Sequence, residues 1–299
     1  MTGRSYATPT AFKEALEQRL RQSVSGGVDI ARRRQLLVFD RFLARIAAVL
    51  GDAAILKGGL VLEFRLKRAR TTNDIDLRLT GSPVEVLARL QEAGRCDLGD
   101  FLGYEVGPDA DQPTIQNDGM RYEGFRFRAT CTLAGKLYGQ PFGVDIVIGD
   151  PIVGEPERVT ATDVLGFAGI APPQILLYPI ETHLAEKLHA YTMPRSRPNS
   201  RVKDLPDIAL LATAQPIEAS RLRTALEQTF TFRATHPLPL ALPDPPAAWG
   251  QPYATVAAED HLPWPLLAEV TAAAKAFLDP VLANDLQGTW VPSLWAWRR

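Results

Sequence analysis

Ile-Leu-Lys-Gly-Gly-Leu-Val-Leu-Glu-Phe-Arg-Leu-Lys-Arg-Ala-Arg-Thr-Thr-Asn-Asp-Ile-Asp-Leu-Arg-Leu, residues 55–79, is the stretch whose reading decides the fold. It opens on an apolar pair, Ile55-Leu56, and a glycine pair, Gly58-Gly59. It closes on two aspartates one residue apart, Asp74 and Asp76, interleaved with Ile75, Leu77 and Leu79. A basic turn with two threonines, Arg65 to Thr72, lies between. Residues i and i+2 of a strand point to one face. Asp74 and Asp76 are therefore expected to project together while Ile75, Leu77 and Leu79 enter the core. Two neighbouring carboxylates repel unless a cation sits between them. Mg²⁺ suits that position, because it takes oxygen ligands and is commonly held by one or two carboxylates plus substrate phosphates. Asp-x-Asp alone also describes a solvated strand end. The glycine pair upstream and the features below favour the metal.

Upstream, Phe12, Leu16 and Leu20 recur at helical spacing and predict a helix over 9–23. A second, longer helix is predicted over 28–50, with Ile30, Leu36, Leu37, Phe42, Ile46 and Leu50 as its apolar stripe and Gly51 as its stop. Arg32, Arg33, Arg34, Arg41 and Arg45 load the rest of that helix, a face expected to be solvated or to lie near a nucleic acid. Downstream, Gly81-Ser82-Pro83 marks a turn and 83–93 a helix. Strand-like segments follow at 101–106, 122–133 and 142–148, with a polar loop at 107–120.

The segment 142–150, Phe-Gly-Val-Asp-Ile-Val-Ile-Gly-Asp, carries the next chemical signal. Asp145 interrupts an apolar strand, and a carboxylate there is costly unless paired or bound to a metal. It reads as a third carboxylate, on a strand beside that of Asp74 and Asp76. Residues 151–180 read as a Pro- and Gly-rich connection with a short helix near 162–168, and place a domain boundary there. From Glu181 a helix begins, with His183, Lys187 and Tyr191 on one face. Lys187 is either a surface lysine or a point charge for a triphosphate. No His or Cys partner gives His183 or His189 transition-metal spacing. After a polar, basic loop at 192–200, Asp204 and Asp207 open another helix, where the helix dipole alone would favour them. A helix over 216–230, a Pro-rich, loop-like insertion at 234–265, a helix over 265–282 and a tail carrying Trp290, Trp295 and Trp297 complete the chain. The tryptophans are expected to pack the tail onto the domain. Helix, then strands, then helices predicts an α+β core followed by a mainly helical lobe, divided as 1–160 and 161–299.

The net charge of −1 hides an asymmetry. Residues 1–80 carry +7, from 15 Lys and Arg against 8 Asp and Glu, while residues 81–180 carry −7, from 7 against 14. The basic excess sits with the candidate chemistry, which favours an anionic substrate. No run of 18 apolar residues suggests a membrane span, and the first residues lack the apolar core of a secretory signal. Cys96 and Cys131 have no metal-ligand spacing and fit a reducing cytoplasm.

The order Lys-Gly-Gly, Arg-x-Thr-x-Asp-Ile-Asp-Leu, Val-Asp-Ile-Val-Ile-Gly-Asp, Ala-Glu-Lys-Leu-x-Ala and Arg-Val-Lys-Asp-Leu-x-Asp resembles the AbiEii/AbiGii toxin family of nucleotidyltransferases, the MenT-like toxins of type IV toxin–antitoxin systems included. The motifs run from about residue 55 to 211, and the combination is specific where each motif alone is not. The resemblance implies a polymerase-β-like core, a mixed sheet with flanking helices, ahead of the helical lobe. It implies that Gly58 and Gly59 are the glycine pair where a ligand phosphate meets bare backbone, and that Lys57, Arg70 and Thr72 belong to the same nucleotide-binding segment. Asp74, Asp76 and Asp145 correspond to the metal-binding carboxylates, Lys187 to the lysine after the domain junction, and Asp204 to the later aspartate. A hydroxyl at the Thr72 position is implicated in inactivation by phosphorylation in some relatives. The implied cofactor is Mg²⁺ or Mn²⁺. The implied reaction is attack of an RNA hydroxyl, the 3′ end of tRNA, on the α-phosphorus of an NTP, inhibiting translation. Asp145 or a second cation would ease removal of the hydroxyl proton, and helix 28–50 and loop 192–203 would take the tRNA backbone. A cognate antitoxin encoded nearby is the implied partner. The competing expectation is an NTP-binding regulatory module without catalysis, acting through a protein partner.

Overall fold

A computed structural model describes residues 6–23, 30–66, 72–110, 114–115, 124–149, 151–195, 201–284 and 286–299. Two helices lead, α1 (Pro9–Gln22) and α2 (Ile30–Leu50). Thr8 caps α1 by accepting from the Ala11 amide at 3.2 Å, with Pro9 in the first turn where a missing N–H costs nothing. Then come β1 (Ala54–Lys57), α3 (Gly59–Leu66), β2 (Asp74–Leu79), α4 (Val86–Arg95), β3 (Leu102–Pro108), β4 (Thr114–Ile115), β5 (Gly124–Leu133), β6 (Lys136–Leu137), β7 (Phe142–Ile148), β8 (Glu157–Thr160) and β9 (Gln174–Leu177). The main sheet runs β3-β5-β7-β2-β1-β9-β8, with β4 and β6 beside β5. β2 and β7 pair in parallel, as do β1 and β9, and the other pairs are antiparallel. The helical lobe holds α5 (Ile180–Thr192), α6 (Asp204–Ala214), α7 (Ala219–Arg233), α8 (Gly250–Glu259) and α9 (Leu267–Leu282). A small sheet of β10 (Ile217–Glu218), β11 (Thr289–Val291) and β12 (Ala296–Arg298) closes it. This is the mixed sheet with flanking helices and helical second lobe that the sequence predicts.

Two apolar cores underlie the lobes. The first gathers Phe39 and Phe42 of α2 against Leu56, Ile75, Leu77, Val144, Ile146 and Leu177 of the sheet. The second gathers Leu184, Leu188, Leu205, Leu211, Phe277 and Trp290, and includes Leu62 from α3. α3, which begins at the second glycine of the pair, therefore ties the lobes: it hangs from β1 and buries Leu62 among α5 and α6 residues. The tail packs as expected, with Trp290 fully buried and its Nε1 donating to the Ala212 carbonyl at 2.8 Å.

Several expectations change. Residues 151–180 are not a mere connection: β8 and β9 extend the sheet, the expected helix near 162–168 is a single 3-10 turn at Gly166–Ala168, and Ala161, Leu165, Ile175 and Leu177 join the first core. The two cores therefore part near residue 178, because β9 is bound in parallel to β1. The Pro-rich stretch 234–265 contains α8. Trp249, Tyr253 and Ala257, four residues apart, are its buried stripe, and Pro252 lies in its first turn, where proline is tolerated. The arginines of α2 do not form a solvated face. Arg41 and Arg45 are buried on Asp100, Arg34 pairs with Glu17 at 2.7 Å, and Arg32 approaches Glu63 at 3.5 Å. α2 packs on α4 as well as on the sheet, so a second side of it is covered. Arg70, loop residues 111–113 and 116–123, and residues 196–200 of the polar loop lie outside the described residues. Among the described residues no helix is long and apolar enough to cross a membrane.

Candidate active site

The alternation in β2 is as the sequence requires: Ile75, Leu77 and Leu79 are buried, Asp74 is exposed and Asp76 half-buried. In the register of β2 against β7, Asp76 lies beside Asp145. Asp145 in turn lies opposite Arg126 of β5, and Asp76 opposite Lys57 of β1. Four adjacent strands thus present one row, Arg126–Asp145–Asp76–Lys57, with cations outside and carboxylates inside. Arg126 grips Asp145 with both arms, Nε to Oδ1 at 2.7 Å and Nη2 to Oδ2 at 2.6 Å. Among the described residues no hydrogen bond or ion pair reaches the Asp76 carboxylate. Burial, then the neighbouring Asp145, pushes its pKa up to about 6, against the pull of Lys57 and Lys187.

Two glycines make room for the aspartates. Gly58 takes a positive φ of 70°, and a Cβ there would sit 2.0 Å from Oδ2 of Asp76. A Cβ on Gly143 would lie 2.5 Å from Oδ1 of Asp74, which accepts the Gly143 amide at 3.2 Å. The space expected to admit a phosphate at Gly58 is therefore lined by Asp76, and Gly59 begins α3. Thr72 sits at the lip, its hydroxyl 3.4 Å from the Asp74 carbonyl.

The helical lobe closes the other side. Lys187 Nζ lies 3.0 Å from Asp204 and 2.8 Å from Asp207, both buried. The two aspartates do more than favour a helix dipole, since they hold the lysine between them. One residue earlier, Glu186 binds Lys57 at 3.0 Å and Arg233 at 3.2 Å, and accepts the Tyr178 hydroxyl at 3.0 Å. Burial alone would raise the Glu186 carboxyl. The charges of Lys57 and Arg233, with hydrogen bonds from Lys57 and Tyr178, outweigh it and hold the pKa down at about 2. Behind this cluster, His189 Nε2 meets the Thr235 hydroxyl at 2.8 Å. His183 is buried with neither ring nitrogen partnered among the described residues, and burial pushes it down to about 3, so it stays neutral. Both histidines are buried in the helical lobe.

The structure thus brings Lys57, Gly58, Asp74, Asp76, Asp145, Lys187 and Asp204 together where the sheet meets α5 and α6. Sequence reasoning missed Arg126, Gly143, Glu186, Asp207 and Arg233 as members of that group. Glu186 stands beside Lys187 in a half-buried helix, a signal that could have been read, whereas the meeting of Arg126 with Asp145 depends on strand register. Among the described residues no three His, Cys, Asp or Glu side chains form a ready cage for a metal. Asp76 and Asp145 nevertheless suit Mg²⁺ or Mn²⁺: they are adjacent, like-charged oxygen donors, one of them unmatched, and two carboxylates suffice when a triphosphate supplies further oxygens. An apolar cavity of about 240 Å³ opens on the opposite face of the sheet, where Leu56 and Leu77 line it, and it includes none of these carboxylates.

Residues 41–287 match the family profile of the nucleotidyl transferase AbiEii toxin, type IV TA system. In structure, the chain is similar to MenT4, a nucleotidyltransferase toxin from Mycobacterium tuberculosis H37Rv, with a TM-score of 0.61 at 16% identity, covering 95% of this chain and 92% of that one. JHP933 from Helicobacter pylori aligns with a TM-score of 0.47 at 15% identity, over 87% of this chain and 95% of that one. At 16% identity the likeness to MenT4 speaks for the fold alone. No curated protein matches in sequence.

Proposed function

The chain belongs to the AbiEii nucleotidyl transferase toxin family of type IV toxin–antitoxin systems, and from that premise we propose that it transfers a nucleotide from an NTP to an RNA hydroxyl, the 3′ end of a tRNA, and so inhibits translation. The observation that supports this most is the in-register pair Asp76–Asp145, flanked by Arg126 and Lys57 in one row across the sheet. Asp76 and Asp145 would hold Mg²⁺ or Mn²⁺, with Asp74 at the edge of the site. A cation held there would supply positive charge against the triphosphate and the departing pyrophosphate. Lys57, oriented by Glu186, brings positive charge to the phosphates from the sheet side. Lys187, fixed by Asp204 and Asp207, adds to the positive potential at Asp76 from the helical lobe. As the RNA hydroxyl attacks the α-phosphorus, its proton passes to a carboxylate of the pair and pyrophosphate leaves. A cognate antitoxin encoded nearby would restrain the activity.

The test incubates purified protein with Mg²⁺, total RNA and each labelled NTP in turn. We expect label in a tRNA-sized band with at least one NTP, and none with Asp76→Asn. Absence of label from every RNA with all four NTPs overturns the transfer. NTP binding without pyrophosphate release would instead favour a regulatory module acting through a partner.

A further inference from the structure

Asp145 does not offer a free carboxylate. Both of its oxygens are engaged by the planar fork of Arg126, at 2.7 and 2.6 Å. The hydrogen bonds with Asp145 are the first cause raising the Arg126 pKa, so the guanidinium stays charged. Each Asp145 oxygen keeps a second lone pair, but a cation placed there sits against the guanidinium charge, so it binds Asp145 better once the fork has left. With Arg126 on Asp145 and Lys57 on Glu186, Asp76 is the unmatched carboxylate of the row. One such carboxylate is a poor site for Mg²⁺, whose binding rises with the number of charged oxygens around it.

Arg126 is placed to move. Its side chain is 32% exposed against 14% for Asp145, whereas Arg45 on Asp100 is 0% exposed. A guanidinium fork also fits phosphate as well as it fits carboxylate, by two parallel N–H···O bonds. An NTP arriving with its cation therefore brings both the ion that replaces Arg126 on Asp145 and the anion that receives Arg126.

We propose that Arg126 is an exchangeable counter-ion, leaving Asp145 for a nucleotide phosphate, so that metal and nucleotide bind cooperatively. This rests on the reading of Asp76 and Asp145 as the metal-nucleotide site. Arg126 thereby becomes a nucleotide-contacting residue and the element that couples the two ligands. No covalent step is involved, and charge is conserved: one arginine–carboxylate pair is exchanged for an arginine–phosphate pair and a metal–carboxylate contact.

The experiment measures Mn²⁺ binding to the full chain by calorimetry, with and without an α,β-methylene NTP, for wild type, Arg126→Ala and Arg126→Lys. Complexation of Mn²⁺ by nucleotide in solution is common to all three and cancels when they are compared. Without nucleotide, Arg126→Ala should bind Mn²⁺ about tenfold more tightly than wild type, and its gain from added nucleotide should shrink by about the same factor. Arg126→Lys, which keeps the charge and loses the fork, should fall between them. Melting curves identify any variant that fails to fold, in which case Arg126→Lys carries the comparison. Mn²⁺ affinities and nucleotide gains within about twofold of wild type, or weaker Mn²⁺ binding in folded Arg126→Ala, overturn the exchange while leaving the site intact. If wild type binds no Mn²⁺ under either condition, the site reading fails and takes this proposal with it.

Discussion

Two aspartates in the sheet lobe meet arginine in opposite ways. Asp100 is fully buried and saturated: Arg41 Nε reaches it at 2.8 Å, Arg45 Nη1 and Nη2 at 2.9 and 2.5 Å, and the Leu102 amide at 3.1 Å. Burial would raise its carboxyl, but the Arg45 hydrogen bonds, with the Arg45 and Arg41 charges, win and lower it. Asp76 is half-buried beside another carboxylate and has no donor among the described residues, and its pKa is up at about 6. The first arrangement spends charge on holding α2 to the start of β3. The second leaves charge unspent. A carboxylate kept in a site that does not satisfy it is a stability cost, which a chain retains where the charge has a ligand to bind.

The largest effect that tests the contrast is on activity. Asp76→Asn removes the carboxylate proposed to hold the cation without changing shape, and transfer should fall on the order of 10⁴-fold in single-turnover incorporation of labelled NTP. Its melting temperature should not fall, because the substitution removes an unmatched charge rather than a bond. A drop in melting temperature would mean that Asp76 is held by the fold as Asp100 is.

The reciprocal substitution is Asp100→Ala. It strands two buried guanidinium groups and should cost about 3–5 kcal/mol in urea unfolding. Transfer per folded molecule should remain within about twofold of wild type, since the cluster joins α2 to the start of β3 and not to β2 or β7. A specific loss of activity in folded Asp100→Ala protein would erase the division between structural and functional charge.

Glu186 lies between the two classes, because it is saturated like Asp100 yet its partner Lys57 faces Asp76. Glu186→Gln keeps a partner for the Tyr178 hydroxyl but leaves Lys57 and Arg233 without their counter-charge. Unfolding should cost about 2 kcal/mol. Added NTP should then stabilise the variant more than wild type, because the triphosphate supplies the missing anion. An unchanged unfolding midpoint would show that Lys57 and Arg233 are fixed by other contacts.

The same division governs what could be read from the chain. β2 was legible because period-2 alternation is local: Ile75, Leu77 and Leu79 fix which way Asp74 and Asp76 point. Asp145 was legible because a carboxylate inside Val-x-Ile-Val is costly without a reason. Arg126 was not, since alternation says that Arg126 and Arg128 share a face but not which of them meets Asp145. Register is a tertiary fact, and here it decides the chemistry. Arg41 and Arg45 misled for a related reason. They lie off the main apolar stripe of α2, and nothing local says that α4 covers that side or that Asp100, far along the chain, would enter it. α8 was hidden by the prolines around it, although Trp249, Tyr253 and Ala257 already stood at helical spacing.

The smallest effect is a pH dependence, and its sign follows from the direction of the Asp76 shift. The ordinary aspartate value is 3.8 and the folded value is about 6. The folded chain therefore holds this proton more tightly than the unfolded chain. The group favours the fold at low pH and loses that contribution as pH rises through about 6. A divalent cation binds the deprotonated form and restores what the charge costs. Mg²⁺ at about tenfold over its dissociation constant should thus raise the melting temperature by about 3 °C at pH 7.5. The shift should fade as pH drops through about 6, and Asp76→Asn should show none at either pH. A shift of equal size at pH 5 and pH 7.5 would place the cation elsewhere. Asp76 would then be a carboxylate that the fold merely tolerates, and the contrast with Asp100 would be one of degree.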